Sequence, residues 1–548
     1  MSETISQATQ DFFLNLYNGY SGIAERVPSD QWSLIHVDTD LQKHIVSWLR
    51  NKQDIILTGN PGDGKTHLME VVLNELDEDE INFKRDASQE NAQAILTAWE
   101  QSKRNNKPFL LAINHAPLRN LAREAKNHPT LDFLYQAIFP EQPYQSEMVS
   151  FIIYSKEQNE YFRRTSQPIM LIDLSMRATL TDKNLLGGLL DKLCEIAEGM
   201  SCEEGLPPEC SRCPIHYNAR ALQDEQIRER LFAIFELLSK RGNRATVRDL
   251  LSCFVFILTR GVECQNLWQG REKCYDNDYY SLLFDANARS ALFDAIRETF
   301  DPGEYADPKI DVLLWTNETE ILQWFDDENP AQPANLRELQ TLKRRAYFEQ
   351  QDSVDTQFAR MLPEAEKDFY KLLDSMQSSK HEVEKLVEKI NLFYAPLGKE
   401  SQAAGYRFRL RLWNKHRYAV GGVANYFAMR TISAERLTIY HPNLNNKYQD
   451  AMPIHQDHVL LAVHDWLPGD PALRIDWEMF QALNSARNGK PIVVQPYHIL
   501  RRLDLFLRQL GNEVGKTDPV ETIEWIDHLN RKVISINVKR EDRSYMEQ

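Results

Sequence analysis

The chain has 548 residues, of which 42% are apolar, and its formal net charge is −16. This length predicts about three or four domains with well-packed cores. No stretch approaches the roughly 20 apolar residues of a membrane span, and the acidic balance argues against a surface coated for non-specific DNA binding. The seven Cys fit a reducing cytosol better than a disulfide framework. The first residues lack the pattern of a secretory signal, so we expect a cytoplasmic protein.

Residues 1–50 are predicted to form an N-terminal helical segment, with a short strand at 33–37. Apolar strands then alternate with helices over 51–183, the strands being predicted at 54–58, 81–86, 108–114, 148–154 and 168–173. Such alternation favours a parallel sheet that is open at the carboxyl ends of its strands. We therefore predict an α/β core over 51–183.

The first strand of this core runs into a complete G-x-x-x-x-G-K-T loop, and a helix is predicted after it at 67–76. A loop of this kind presents backbone N–H groups and the positive end of a helix dipole to a nucleotide's phosphates. Lys65 would reach the outer phosphates, and the Thr66 hydroxyl would hold Mg²⁺. The alternative is a glycine-rich turn with a chance Lys-Thr. The predicted nucleotide-binding residues are Gly59, Asn60, Pro61, Gly62, Asp63, Gly64, Lys65, Thr66 and His67.

A P-loop of this type also needs acidic groups for Mg²⁺ and for the attacking water, and no apolar strand here ends in Asp-Glu. Three strand ends offer candidates. Asp86 follows the second predicted strand, Asn114 follows the most apolar one and would orient water, and Asp173 ends the last strand. Asp173 has the alternative role of a turn or cap residue. The missing acid pair also fits slow or partner-dependent hydrolysis, which would make the protein a switch.

After the core the pattern is helical. A helical lid with a Cys-rich insertion is predicted over 184–275, a helical domain over 276–398 and an α+β domain over 399–548. One predicted lid helix begins near Thr246, with Thr246 or Asn243 as its cap. Arg248 in its first turn would reach a γ-phosphate, which its forked donors match; an ion pair with Asp249 is the alternative.

A cluster of Cys and His in the lid suggests a second cofactor. Cys202, Cys210, Cys213 and His216 form a run whose tail reads C-x-x-C-x-x-H. Three thiolates and an imidazole would complete a tetrahedral structural zinc site. Free buried cysteines with an exposed His are the rival interpretation.

Two basic segments have competing interpretations. Residues 343–345, Lys-Arg-Arg, suggest an arginine finger for a neighbouring subunit or a solvated basic patch. In the segment 406–418, a strand would put Arg407, Arg409 and Arg411 on one face. That face would follow a phosphate backbone or an acidic partner, or would protect a sheet edge by its charge.

Four segments, 59–67, 85–90, 111–114 and 245–251, together resemble the DptF-like ATPase subunits of DNA-phosphorothioation-dependent restriction systems. The segments 213–218 and 473–478 add to the likeness, which covers residues 33–260 best. The resemblance implies an ATP-dependent role in bacterial anti-phage defence, within an oligomeric complex that acts on double-stranded DNA directly or through partner subunits. No nuclease signature is evident, so DNA cleavage would need a partner.

Two other functions stay open at this point. The chain would also fit an AAA-type oligomeric remodeller of proteins, or a nucleotide-binding scaffold that does not hydrolyse ATP. Stimulation of ATP turnover by DNA would favour the defence ATPase, and tight binding without turnover would favour the scaffold.

Overall fold

The computed structural model describes residues 2–17, 29–76, 78–128, 131, 133–139, 151–154, 169–200, 212–263, 266–267, 274–288, 290–316, 336–375, 379–394, 406–415, 426–441, 451–464, 470–487, 495–514, 522–527, 532–541 and 544–547. The chain divides into two compact units. Unit 1 comprises residues 1–362 and 446–455, and unit 2 comprises 363–445 and 456–548. A segment from late in the sequence therefore returns to unit 1. The prediction of an N-terminal segment and four further domains stays a prediction.

The sheet of unit 1 contains four parallel strands and an antiparallel edge strand, in the order β2-β3-β1-β5-β4. The strands are β1 (Asp54–Thr58), β2 (Asn82–Lys84), β3 (Phe109–Ala112), β4 (Phe151–Tyr154) and β5 (Ile169–Asp173). The expectation of an α/β core is thus confirmed at the level of the parallel sheet. The strand predicted at 33–37 is wrong, because Ser29–Leu34 is a 3₁₀ helix.

Helices cover both faces of this sheet. The first helix, α1 (Ser2–Tyr17), packs on a later helix of unit 1, where Tyr17 contacts Phe256. The helices beside the strands are α2 (Asp40–Arg50), α3 (Lys65–Asn74), α4 (Ala92–Arg104), α5 (His115–Ala125) and α6 (Phe133–Ile138). Successive residues of a strand face opposite sides. Ile55 and Leu57 accordingly pack with α2 and α3, whereas Ile56 packs with α4 and α5. Side-chain caps begin two of the helices: Thr39 accepts from the Gln42 N–H, and Asn91 accepts from the Gln93 N–H.

The rest of the described part of unit 1 is mainly helical. Its helices are α7 (Lys183–Glu198), α8 (Pro214–Gln223), α9 (Glu225–Lys240), α10 (Val247–Thr259), α11 (Tyr279–Leu282), α12 (Ala291–Thr299), α13 (Pro308–Thr316), α14 (Leu336–Glu349) and α15 (Val354–Met361). The residues of α10 from Leu250 to Thr259 are all buried. The returning segment contributes Met452 and Ile454 to the core on the α2–α3 side of the sheet.

Unit 2 combines helices with two antiparallel sheets among its described residues. Its strands are ordered β10-β9-β8 in one sheet and β13-β12-β11-β7-β6 in the other. The elements are α16 (Glu364–Asp374), α17 (Lys380–Tyr394), β6 (Arg409–Lys415), β7 (Tyr426–Ser433), β8 (Leu437–Tyr440), β9 (His458–Val463), β10 (Ala472–Asp476), α18 (Trp477–Arg487), α19 (Tyr497–Val514), β11 (Thr522–Asp527), β12 (Lys532–Glu541) and β13 (Ser544–Glu547).

The basic segment at the start of β6 does not form the exposed arginine row that alternation predicts. Arg409 is exposed, but Arg411 is buried and pairs with Glu524. Arg407 pairs with the buried Glu388 at 2.7 Å. The prediction of an exposed arginine row is wrong because Arg407 lies before β6 begins and Arg411, although it alternates with Arg409, is buried.

Candidate functional site

The loop between β1 and α3 depends on glycine at two positions. Gly59 has φ +146°, and a Cβ there would lie 2.6 Å from Asp63 Oδ2. Gly62 has φ +97°, and a Cβ there would lie 3.1 Å from Thr246 Oγ1. Only glycine adopts such backbone angles without strain. The sequence G-x-x-G therefore folds into a tight turn that leads from the sheet into the first turn of α3.

The Lys65 side chain bends back into the curve of this loop. Its Nζ donates to the carbonyl oxygens of Gly59 at 3.2 Å and Asn60 at 2.7 Å. Burial lowers the pKa of Lys65, and the charges of Asp63, Asp86 and Asp173 oppose that shift. The ammonium group thus contacts two carbonyl oxygens of the loop and lies within electrostatic range of three carboxylates.

Asp63 supports the loop from below. Its Oδ2 accepts a hydrogen bond from the Asn60 N–H at 2.5 Å. Burial raises the pKa of Asp63, and the nearby Asp173 acts in the same direction. The Asp63 side chain is therefore a structural part of the turn.

The carboxyl ends of β2, β3 and β5 bring the three predicted strand-end residues to one edge of the sheet. Asp86 follows β2, Asn114 follows β3 and is the N-cap of α5, and Asp173 is the last residue of β5. Parallel strands place their carboxyl ends at the same edge. Asp86 and Asp173 both act electrostatically on Lys65, so the structure gathers the predicted residues around the loop.

Asp173 is a cap residue, as one of its two sequence interpretations required, and it also has a partner that the sequence analysis missed. Its Oδ1 accepts from the Ser175 N–H at 3.0 Å and from Ser175 Oγ at 2.7 Å. The same oxygen lies 3.0 Å from Nε2 of His115, at the start of α5. Burial acts to raise the pKa of Asp173, but the hydrogen bonds from His115 and Ser175 outweigh it and hold the pKa below its ordinary value.

The N-terminus of α10 rests directly on the loop. Thr246 Oγ1 accepts from the Asp249 N–H at 3.2 Å, and Asp249 Oδ2 accepts from the Thr246 N–H at 2.8 Å, which forms a capping box. The Arg248 N–H donates to the Gly62 carbonyl oxygen at 3.3 Å. Thr246, and not Asn243, is therefore the cap.

The Arg248 side chain lies against the loop. Its Nε is 3.4 Å from the Cβ position of Gly62. Within the described part of the chain this buried nitrogen has no hydrogen-bond partner. Asp249, its alternative partner in the sequence analysis, is engaged in the capping box. A buried donor of this kind is costly unless a ligand or water satisfies it.

Aromatic side chains flank the helix side of the loop. His67 stacks on Trp32 with ring centroids 5.0 Å apart, and its Nε2 lies 3.0 Å from Nδ1 of His36. His36 Nε2 in turn lies 3.1 Å from Asp38 Oδ1. Burial, together with the charge of His36, lowers the pKa of His67 to about 4.

The proposed zinc ligands are described only in part. Cys202 and Cys210 lie outside the described residues. Cys213 is the N-cap of α8, and Nε2 of His216 contacts the backbone carbonyl oxygen of Met200. Among the residues that the structure describes, no group of three or more His, Cys, Asp or Glu is arranged to hold a metal. The zinc site stays a prediction.

The Lys-Arg-Arg segment on α14 is engaged within unit 1. Lys343 pairs with Asp311 at 2.8 Å, and Arg345 pairs with Glu349 at 2.8 Å. Arg344 forms a two-point ion pair with the buried Asp301, at 2.9 and 2.5 Å. Lys343 thus joins α14 to α13, Arg344 joins α14 to the segment after α12, and Arg345 pairs within α14, so neither a free arginine finger nor a solvated patch describes the segment.

Comparison with known proteins gives no match for this chain. No protein-family model matches the chain, and neither the curated proteins nor the solved structures compared with it give a match. None of the helices in the described ranges combines the length and the apolar character that a bilayer crossing requires.

Proposed function

We propose that the chain binds Mg²⁺–ATP at the loop 59–66 and hydrolyses it. The observation that supports this most is the meeting of Lys65, the capped start of α10 and the carboxyl ends of parallel strands at one glycine-lined turn. Gly59 and Gly62 let the side chains of Asp63 and Thr246 approach the loop backbone closely, and the buried, partnerless Arg248 Nε fits an anion. A triphosphate with Mg²⁺ matches this set of donors and acids.

Each group has a distinct role in this proposal. Mg²⁺, when bound, supplies Lewis-acid neutralisation of the phosphate charge. Lys65 would exchange its two loop carbonyl partners for phosphate oxygens, Thr66 would hold the metal, and Arg248 would stabilise charge on the outer phosphate. The helices α7–α10 would then act as a lid, because α10 carries Arg248 on the loop.

The strand order supports Asp86 as the acid of the metal site. β3 lies between β1, which leads into the loop, and β2, which leads toward Asp86. An extra strand in this position resembles the additional-strand class of AAA-like ATPases. Asp86 also lies within electrostatic range of Lys65. Asn114, after the intervening strand, would orient water.

The setting in a bacterial anti-phage restriction complex rests on the sequence resemblance alone. It makes ATP turnover a switch or motor for partner subunits, and unit 2 would contact those subunits or DNA. Oligomerisation and double-stranded DNA belong to the same proposal.

The deciding experiment is steady-state ATP hydrolysis by the full chain, alone and with double-stranded DNA, together with equilibrium binding of a fluorescent ATP analogue. Lys65→Ala and Arg248→Ala are the variants, and Arg220→Ala, at an exposed position of α8, is the matched control. We expect turnover that Lys65→Ala abolishes, that Arg248→Ala lowers roughly 10²-fold or more, and that DNA raises. Tight binding without turnover would indicate the scaffold, and turnover indifferent to DNA would favour the remodeller.

A further inference from the structure

His115 joins two strand ends across the base of the loop. It is the first residue of α5, three positions after the end of β3, and its partner Asp173 is the last residue of β5. β3 and β5 flank β1 on its two sides, so the contact at 3.0 Å spans the strand that leads into the loop. The two side chains are 39% and 26% exposed. They are therefore accessible from the edge of the sheet where the loop lies.

The hydrogen bonds around Asp173 fix which nitrogen of His115 carries the proton. An ionised carboxylate only accepts hydrogen bonds, and the low pKa of Asp173 keeps it ionised near neutral pH. Nε2 of His115 is therefore the protonated nitrogen. In neutral imidazole the other nitrogen, Nδ1, then carries a lone pair and accepts hydrogen bonds.

Ser175 anchors this pair to the loop. Its N–H and Oγ both donate to Asp173 Oδ1, which restrains the carboxylate. Its backbone nitrogen also lies 3.2 Å from the Cβ position of Gly59, the first glycine of the loop. His115 acts electrostatically on Asp63, and Asp173 acts on Lys65. The start of α5, the end of β5 and Ser175 thus hold the His115 imidazole beside the proposed phosphate site.

We propose that His115 is the catalytic base for the water that attacks the γ-phosphorus, with Asp173 and Ser175 as positioning residues. This inference rests on the proposed ATPase function. The water oxygen forms a bond to the γ-phosphorus, the bond from that phosphorus to the bridging β–γ oxygen breaks, and ADP leaves with that oxygen. The proton of the water passes to Nδ1 of His115. The imidazolium that forms is stabilised by Asp173 and later releases its proton to solvent.

The strand-end residues have different roles in this proposal. Oδ1 of Asp173 already accepts three hydrogen bonds, which suits an orienting carboxylate better than a metal ligand. Asp86 is then left for the metal, and Asn114 for a second hydrogen bond to the water. In this proposal a His–Asp pair, contributed by the start of α5 and the end of β5, takes the place of the missing Asp-Glu pair.

Three measurements on the full chain test this assignment. The first is kcat and KM for ATP in His115→Gln and Asp173→Asn, with His44→Gln on α2 as the matched exposed-histidine control. The second is the affinity of each variant for a fluorescent ATP analogue. The third is the ¹⁵N spectrum of the histidine-labelled protein without nucleotide, in which the signal lost in His115→Gln identifies His115.

We expect His115→Gln to lower kcat about 10²–10⁴-fold while KM and nucleotide affinity stay within about twofold. Asp173→Asn should lower kcat with the same KM pattern and should change the tautomer of His115, which the ¹⁵N shifts report. In the wild type, those shifts should show Nε2 protonated and Nδ1 bare. Thermal unfolding midpoints of the variants close to the wild-type value would show that they fold.

The outcomes separate this inference from the function on which it rests. Wild-type turnover retained by His115→Gln would overturn the inference alone, as would a loss of nucleotide affinity equal to the loss of turnover. A His115 protonated at Nδ1 would also overturn it. A wild type that neither binds nor hydrolyses ATP, with DNA present, would overturn the ATPase proposal and this inference together.

Discussion

His67 should remain uncharged across the physiological range, although an ordinary histidine titrates within it. The side chain is enclosed by the Trp32 ring and contacts His36, and these surroundings lower its pKa from 6.5 to about 4. Burial is the larger cause, and repulsion from a charged His36 is the smaller one. An uncharged His67 keeps the start of α3 free of a second positive charge beside Lys65.

The size and sign of the effect on stability follow from this difference in pKa. A change from 6.5 to about 4 corresponds to roughly 3 kcal/mol of preference for the neutral form in the folded state. Between these pH values the unfolded chain binds a proton at His67 and the folded chain does not. Stability therefore falls as the pH is lowered from 6.5 toward 4, by about 2 kcal/mol at pH 5.

Histidine-selective NMR measures the pKa directly. In a ¹³C-histidine titration of the full chain, the signal that disappears in His67→Gln identifies the residue. Trp32→Leu should raise the pKa of His67 toward 6.5 because it removes the stacked ring, and His36→Asn should raise it by less. The free energy of unfolding of unit 1 is measured in urea at pH 7 and at pH 5. The decrease from pH 7 to pH 5 should be about 2 kcal/mol larger for the wild type than for His67→Gln.

His44→Gln is the control, because His44 is exposed on α2 and stacks on Trp48 outside this cluster. A pKa near 6.5 for His67 in the wild type would refute the reasoning. The same would follow if Trp32→Leu left the pKa unchanged, since burial is the stated cause.

Three further substitutions test the packing that holds the site. Gly62→Ala should lower nucleotide affinity at least 10-fold and cost about 1–3 kcal/mol in stability. Binding of the ATP analogue and thermal unfolding measure these effects, and wild-type values in both would contradict the close contact with α10. Trp99→Phe should destabilise unit 1 by about 1–3 kcal/mol, since the indole N–H donates at 2.7 Å to the fully buried Asp54; an unchanged unfolding midpoint would argue against that bond. Arg230→Met should cost about 1–3 kcal/mol in stability, because this buried guanidinium donates to Gln357 and to three backbone carbonyls. It should also speed hydrogen exchange over 348–357, and unchanged exchange would refute the role of Arg230.

Much of the architecture around the loop was readable from local pattern. The strands at 54–58, 109–112 and 169–173, and the helices from Lys183 to Thr259, appear where apolar runs and helical periodicity predict them. The capping box at Thr246 is likewise a local signal, because cap and partner are three residues apart. Such features depend on neighbours in the chain, so the sequence alone indicates them. The prediction of a strand at 33–37 was wrong because a short apolar run does not distinguish a strand from a 3₁₀ turn.

Partners distant in sequence were beyond that kind of reasoning. Arg407 and Arg411 alternate as an exposed row would, yet both pair with carboxylates from other elements of unit 2. Lys343 and Arg344 likewise pair with the distant carboxylates of Asp311 and Asp301, whereas Arg345 pairs locally with Glu349. A charge has no preferred partner in sequence, because the ion pair that it forms depends on which elements the fold brings within about 4 Å.

The candidate site shows the same division. The residues 59–66 by themselves determined the turn, since glycine positions and the following helix are local requirements. Only the tertiary structure decided that Arg248 would lie on Gly62 and that His115 would meet Asp173. Gly62 and Arg248 are 186 positions apart in the sequence, and His115 and Asp173 are 58 positions apart. Parallel strands bring His115 and Asp173 together because their carboxyl ends share one edge of the sheet, whatever the length of chain between them. Arg248 reaches Gly62 because the packing of α10 places its N-terminus on the loop.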